Sequence, residues 1–263
     1  MNYTGKTALI TGASSGIGAA FAHTLAQRGM NLILVARSES KLQALSTELN
    51  HKYKIRTDAI AADLSYENMG LHVYEQTQKR QLHVDMLINN AGFSTNGNFE
   101  TIPPDKDHQQ VMLNVVSVVD LTHAFIPAML ERGEGTIINI GSTTSFYPLA
   151  YQAVYGATKA FILSFSEALW AEYRERGIKV LALCPGATDT AFFNTMGRDI
   201  NFKKHSPQDV VRIGLSALEQ NRHYVIPGFR NTLESNILPR LLPRVAMAKL
   251  VSSISPKAFK SLA

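Results

Sequence analysis

Apolar runs rich in β-branched residues recur along this chain, and between them apolar positions return every third or fourth residue. The runs predict strands at Thr7–Thr11, Asn31–Ala36, Thr57–Ala61, Met86–Asn89, Thr136–Ile140, Val180–Cys184 and Tyr224–Ile226, and the intervening periodicity predicts helices. Such alternation favours parallel strands crossed by helices. Segments such as Leu32-Ile-Leu-Val35 and Ile137-Ile-Asn-Ile140 are nearly continuous in apolar residues, as strands covered on both faces must be. The expected fold is α/β, a single-domain, doubly wound parallel sheet of Rossmann-like form with helices on both faces.

The punctuation of this pattern carries the candidate chemistry. The first strand runs into Thr11-Gly12-Ala13-Ser14-Ser15-Gly16-Ile17-Gly18, and a helix is expected from about Gly16. Glycines at a strand-to-helix turn let backbone N–H groups approach a diphosphate at the positive end of the helix. The spacing is Gly-x-x-x-Gly-x-Gly, and its place after the first strand points to a dinucleotide. At the end of the second strand, where a carboxylate would accept from ribose hydroxyls, the chain has Ala36-Arg37-Ser38. A guanidinium with no carboxylate beside it suits a 2′-phosphate, with Ser14 as a second donor, so NADP(H) is expected over NAD(H). Asp63, in Ala61-Ala62-Asp63-Leu64, stands where it could accept from an adenine amino group or cap the next helix. Asn89-Asn90-Ala91-Gly92 ends the fourth strand at the same rim.

In the second half, Tyr155 and Lys159 stand four apart in a helical run, so both project from one face, and Ser142 precedes them at the end of the fifth strand. A neighbouring ammonium favours a phenolate, so the pair is expected to bring the phenol from near pH 10 toward neutrality. A phenol so poised, with a serine hydroxyl on the same oxygen, suits the interconversion of carbonyl and alcohol.

Composition narrows the setting. At 263 residues, 45% hydrophobic and 18% charged, the chain can bury one sizeable core. No apolar run near twenty residues and no leader is evident, so a soluble, unsecreted and cytoplasmic protein is expected. The single cysteine, Cys184, excludes an intrachain disulfide and a cysteine-rich metal site, and no metal is expected. Its place at the end of an apolar strand suggests a buried, inert thiol. The net charge of +5 matches the five cations Arg240, Arg244, Lys249, Lys257 and Lys260, which share residues 235–263 with no acidic residue. The remaining body is balanced and shows no basic nucleic-acid stripe.

Taken in order, Thr11-Gly-x-x-x-Gly-x-Gly18, Asn89-Asn-Ala-Gly92, Asn114, Ser142, Tyr155-x-x-x-Lys159 and Pro185-Gly186 leading to Thr190 form a specific set. With it the chain resembles the short-chain dehydrogenases/reductases over about residues 5–227. The resemblance implies that Tyr155 is the catalytic acid/base, that Ser142 holds the substrate oxygen, and that Lys159 lowers the Tyr155 pKa and binds the nicotinamide ribose. It implies that Asn114, a helical asparagine that by itself reads as structural, binds a proton-relaying water. It further implies that Pro185, Gly186, Thr188 and Thr190 flank the nicotinamide while Asp63 and Asn90 flank the adenosine half. Gly12, Ser14, Ser15, Gly16, Ile17, Gly18, Arg37, Leu64, Ala91 and Gly92 complete the expected cofactor contacts. A homodimer or homotetramer is implied as well.

The substrate segments, Phe146-Tyr-Pro-Leu-Ala-Tyr151 and Ala191-Phe-Phe-Asn-Thr-Met196, are apolar and aromatic, which favours a hydrophobic ketone or aldehyde. Arg198, Lys203 and Lys204 keep an acyl-carrier-bound or β-ketoacyl thioester substrate open. An NADP(H)-binding sensor or scaffold without turnover is the reading from another class, and an intact acid/base set argues against it. Residues 1–229 are expected to form the catalytic domain and 230–263 a basic, apolar extension. That extension fits peripheral contact with an anionic membrane, a cover over the pocket or a subunit interface.

Overall fold

The computed structural model of the chain describes residues 1–190, Phe192 and 204–259, with side chains through Ser253. Seven strands form one parallel sheet: β1 (Thr7–Thr11), β2 (Asn31–Ala36), β3 (Thr57–Ala61), β4 (Met86–Asn89), β5 (Gly135–Ile140), β6 (Ile178–Leu183) and β7 (Tyr224–Val225). Their spatial order is β3-β2-β1-β4-β5-β6-β7. Chain order reverses between β1 and β4, and open α/β sheets bind ligands in the crevice at such a point.

Both faces of the sheet are apolar because successive side chains of a strand point to opposite sides. On one face Ala8, Ile10, Leu32, Leu34 and Ile138 pack with Phe21 and Leu25 of α1 (Gly16–Gln27), Leu42 and Leu49 of α2 (Glu39–Tyr53), and Val211 and Leu215 of α7 (Pro207–Glu219). On the other, Leu9, Ile33, Val35, Leu87 and Ile137 pack with Val73 of α3 (Met69–Lys79), Leu121, Phe125 and Met129 of α5 (Ser117–Arg132), and Leu169 of α6 (Ala153–Tyr173).

The first four strands have the bounds the pattern predicts, and the last three shift slightly. β6 begins at Ile178 because its ladder continues through Lys179, opposite Thr136, where the apolar pattern is broken. It ends at Leu183, so Cys184 lies just past the strand, still buried.

The expectation that no apolar run approaches twenty residues is corrected. α4 (Pro104–Val111), a π turn (Met112–Val116) and α5 join into one helix, Pro104–Arg132, of 29 residues, long and apolar enough to cross a membrane by length and composition. Here it is a core helix, with Val118, Leu121, Phe125, Ile126 and Met129 buried.

Beyond β7 the chain continues through α8 (Phe229–Thr232), a second π turn (Leu233–Ile237), α9 (Leu238–Leu241) and α10 (Arg244–Phe259). Met247 and Val251 of α10 are buried.

Candidate active site

The strand ends bring the predicted residues to one crevice. Asn90 ties the first two motifs together. Its side-chain amide donates to Thr11 O at 2.8 Å and to Gly12 O at 3.3 Å, while its backbone N–H and that of Ala91 donate to Thr11 Oγ1 at 2.9 and 3.0 Å. The turn is packed so closely that a Cβ on Gly18 would overlap Gly12 O and lie 2.6 Å from Asn90 Nδ2. Gly16 has φ +56°, and a Cβ there would stand 3.0 Å from the Thr190 methyl. Gly16 thus brings the glycine turn against the segment that follows β6.

This cradle fits a dinucleotide. Ser15 precedes α1 without a side-chain cap bond, and the first turn of α1 carries no acidic residue, leaving the positive helix end open to a diphosphate. Arg37 is exposed beyond the end of β2. Ser14 is half-buried in the turn, and Ile17 packs against the core beneath it. Leu64 is a core residue, so only its backbone can face the crevice. Asp63 Oδ1 accepts from Ser65 N and Oγ at 3.1 and 2.6 Å. The alternative that Asp63 caps the next helix is not met, because Asn68 occupies that position.

The catalytic candidates converge one strand further on. Ser142 opens a short 3₁₀ turn, Thr143–Phe146, in a reciprocal capping box. Its hydroxyl accepts from Thr144 N at 3.1 Å, and its backbone N–H donates to Ser145 Oγ at 3.1 Å. The box fixes the hydroxyl, which lies close enough to the Tyr155 phenol to act on its pKa. From the same helical face as Tyr155, the Lys159 amine lies 5.8 Å from the phenol ring centroid and donates to Ile140 O at 2.7 Å. Asn114 sits in the π turn of the long helix, whose widened backbone turns this side chain inward. Its amide donates to Phe93 O at 3.0 Å and Thr158 Oγ1 at 3.1 Å, and its carbonyl accepts from Phe93 N at 3.2 Å. A Cβ on Gly92 would be 3.0 Å from Asn114 Oδ1 and 3.7 Å from Lys159 Nζ, so the three meet in one place.

The electrostatics differ from expectation in one respect. Burial pushes the Tyr155 phenol up to about 12, with the Ser142 hydrogen bond opposing it, and does not let it fall toward neutrality. Burial also brings the Lys159 amine down to about 8. The amine is turned to Ile140 O and is itself desolvated, so the loss of water outweighs what its charge offers the phenol. Cys184 lies behind the site. A Cβ on Gly141 would be 2.7 Å from its sulfur, and burial raises its thiol to about 12, in keeping with an inert group.

Two contributors, Asn231 and Ser235, carry no sequence motif. Burial raises the Tyr147 phenol, and Ser235 from the C-terminal segment and Thr143 lie close enough to oppose that rise. Asn231 of α8 lies against Gly186, where a Cβ would meet its Nδ2 at 2.6 Å. Asn231 also donates to Pro227 O at 2.7 Å. Pro185 O accepts from Thr143 N at 3.0 Å, and Thr188 Oγ1 donates to Gly186 O at 3.0 Å. The Phe192 ring lies 5.9 Å from that of Tyr155. Residues 191, 193–196, Arg198 and Lys203, expected to shape the substrate side, lie outside the described residues. Among the described residues no group of acidic, histidine and cysteine side chains is arranged to hold a metal ion.

Comparison with known proteins agrees with this geometry. A family model described as "short chain dehydrogenase" matches residues 6–201. Among curated relatives, the very-long-chain 3-oxoacyl-CoA reductase of Macaca fascicularis is 31% identical over 92% of this chain and 79% of its own length. The human enzyme of that name is 30% identical over the same shares. Among solved structures, a short-chain dehydrogenase from Sphingobium yanoikuyae in complex with NADPH superposes with a TM-score of 0.82. It has 33% identity, covering 90% of this chain and 93% of that one. The bulky-bulky ketone specific alcohol dehydrogenase from Comamonas testosteroni gives a TM-score of 0.79 at 34% identity, covering 90% and 91%. The chain therefore belongs to the short-chain dehydrogenase/reductase family, as an NADP(H)-dependent oxidoreductase acting between alcohol and carbonyl groups.

Proposed function

We propose that this protein reduces the carbonyl of a long apolar substrate, foremost the β-keto group of an acyl thioester, with Tyr155 as proton donor. The observation that carries the chemistry is the convergence of three side chains: the Ser142 hydroxyl close enough to the Tyr155 phenol to oppose its upward shift, and the Lys159 amine buried 5.8 Å from the phenol ring centroid. NADPH, when bound, would supply the hydride to the carbonyl carbon. Ser142 and Tyr155 are placed to donate to the carbonyl oxygen, on which negative charge would grow. A phenol held at about 12 keeps its proton at neutral pH and is more acidic than the alkoxide it serves, so proton transfer runs downhill in the reducing direction. Lys159 and Asn114 lie behind the phenol, where a proton can be returned through water from solvent.

The apolar character of the substrate is supported by Tyr147 and Phe192 beside Tyr155 and by the C-terminal segment that closes on Tyr147 and Gly186, whereas Phe146 packs inward on Tyr224. The names of the relatives, very-long-chain 3-oxoacyl-CoA reductase and bulky-bulky ketone specific alcohol dehydrogenase, favour the same class. For the cofactor half, Arg37 and Ser14 would hold the 2′-phosphate and the first turn of α1 the diphosphate. The test is NADPH consumption, followed by absorbance, with short and long β-ketoacyl thioesters, bulky apolar ketones and sugars. Thioesters or apolar ketones are expected to turn over, and Tyr155→Phe to lose roughly 10²–10⁴-fold in turnover while still binding NADPH. Near-normal rates in the variant would refute the acid/base assignment, and turnover confined to sugars would refute the substrate class.

A further inference from the structure

The segment after β7 has two unlike sides. Its inner side is held to the body: Asn231 lies on Gly186, buried Ser235 approaches the Tyr147 phenol, and Asn236 donates to the Tyr224 hydroxyl at 2.8 Å. Its outer side exposes Phe229 (83%), Leu233 (46%), Ile237 (42%), Leu241 (75%) and Val245 (67%). These five recur every fourth residue, and Phe229 through Leu241 fall in the unbroken helical run from α8 to α9. Side chains four apart share a helix face, so Phe229, Leu233, Ile237 and Leu241 form a continuous stripe, with Val245 exposed just past the break that ends α9.

The charges beside the stripe are of one sign. Arg240, Arg244 and Lys249 are exposed, and from Ser235 to the end of the sequence there is no acidic residue. Glu234 is neutralised by Arg230 at 2.6 Å. We propose that this outer face docks on a lipid bilayer bearing anionic headgroups, with the stripe entering the headgroup–acyl boundary and the cations on the phosphates. A second copy of the chain is the weaker occupant. A two-fold contact through this face would set the cation cluster against itself, whereas an anionic surface neutralises it. Docked in this way, the rim of the site at Gly186 lies on the far side of the same helix from the bilayer, within a helix diameter of it.

The test is cosedimentation of the full chain with vesicles of phosphatidylcholine alone and of phosphatidylcholine containing phosphatidylglycerol. Phe229→Ser/Leu241→Ser and Arg240→Gln/Arg244→Gln are run alongside, with NADPH binding as the measure of an intact fold. The wild type is expected to sediment with the anionic vesicles and to be released by salt. Each arginine removed is expected to weaken that binding by roughly fivefold, while loss of the two apolar side chains abolishes it. NADPH binding is expected to be unchanged in both variants. No sedimentation with anionic vesicles, or equal sedimentation of wild type and variants, would overturn the proposal. So would a self-association in sedimentation velocity that depends on Phe229 and Leu241 without vesicle binding, since the face would then be a subunit interface.

Discussion

Lys159 should make the protein less stable at neutral pH than at alkaline pH, by an amount the site itself sets. Its amine is fully enclosed, and burial lowers its pKa from 10.5 to about 8. For a base whose folded pKa is depressed, the folded state sheds its proton first. Between pH 8 and 10.5 the unfolded chain therefore binds more protons, and stability rises with pH. The penalty is fully present below pH 8 and corresponds to about 3 kcal/mol. Lys159→Met keeps the aliphatic stem and removes the titration. It also removes the hydrogen bond to Ile140 O, whose different strength for the ammonium and the free amine is already contained in the Lys159 pKa, so the difference between the curves tilts only through the Lys159 titration. Tyr155 and Cys184 titrate with the opposite sign, each raised to about 12, and both remain in the variant, so their contributions largely cancel in the difference. Denaturant unfolding of both proteins at pH 7, 8, 9 and 10 checks this. The wild type should gain on the variant by about tenfold in its folding constant per pH unit above pH 8. Parallel curves would mean that the amine is not desolvated as the geometry indicates.

Gly18→Ala is expected to weaken NADPH binding by at least an order of magnitude and to cost about 1–3 kcal/mol of stability, because the new methyl overlaps Gly12 O and crowds Asn90 Nδ2. A fluorescence titration with NADPH and a denaturant curve check both, and wild-type affinity would refute the close approach. Asn114→Ala leaves Phe93 N and Phe93 O without their partner, while Thr158 Oγ1 keeps its bond to Tyr155 O, and is expected to destabilise by roughly 2–4 kcal/mol. Turnover should fall in the same variant, and a loss below 1 kcal/mol in denaturant unfolding would show that those groups find other partners.

Much of the fold and of the site could be read from the chain, for a specific physical reason. Parallel strands buried on both faces must be apolar at successive positions, so Thr7–Thr11 and Asn31–Ala36 stand out with their true bounds. The glycine turn, Ser142 and the Tyr155–Lys159 pair could be read because each is tied to a strand end or a helical spacing. The direction of the Tyr155 shift could not, since spacing brings Lys159 beside the phenol but does not reveal that both are closed off from water. Nor could Asn231 and Ser235, whose contacts with Gly186 and Tyr147 span long separations and follow no periodic pattern.

Beneath the site, the polar groups form their own support. Asn89 donates to Asn139 Oδ1 at 2.9 Å, Asn139 donates to Ser166 Oγ at 2.9 Å, and Ser166 donates to Ile162 O at 2.6 Å, all buried. This line joins β4 and β5 to α6, the helix that carries Tyr155 and Lys159. An apolar residue in place of Asn139 would satisfy the strand pattern better, yet it would leave the Asn89 amide without its acceptor, reduce Ser166 to its bond with Ile162 O and let α6 settle on packing alone. Hydrogen bonds are directional where apolar packing is not, so the line fixes how α6 sits against the end of β5. The distance from Lys159 Nζ to Ile140 O and the reach of Tyr155 to Ser142 both depend on that position. The polar residues that interrupt Ile137-Ile-Asn-Ile140 and the α6 core thus belong to the chemistry of the site, although none of them reaches it.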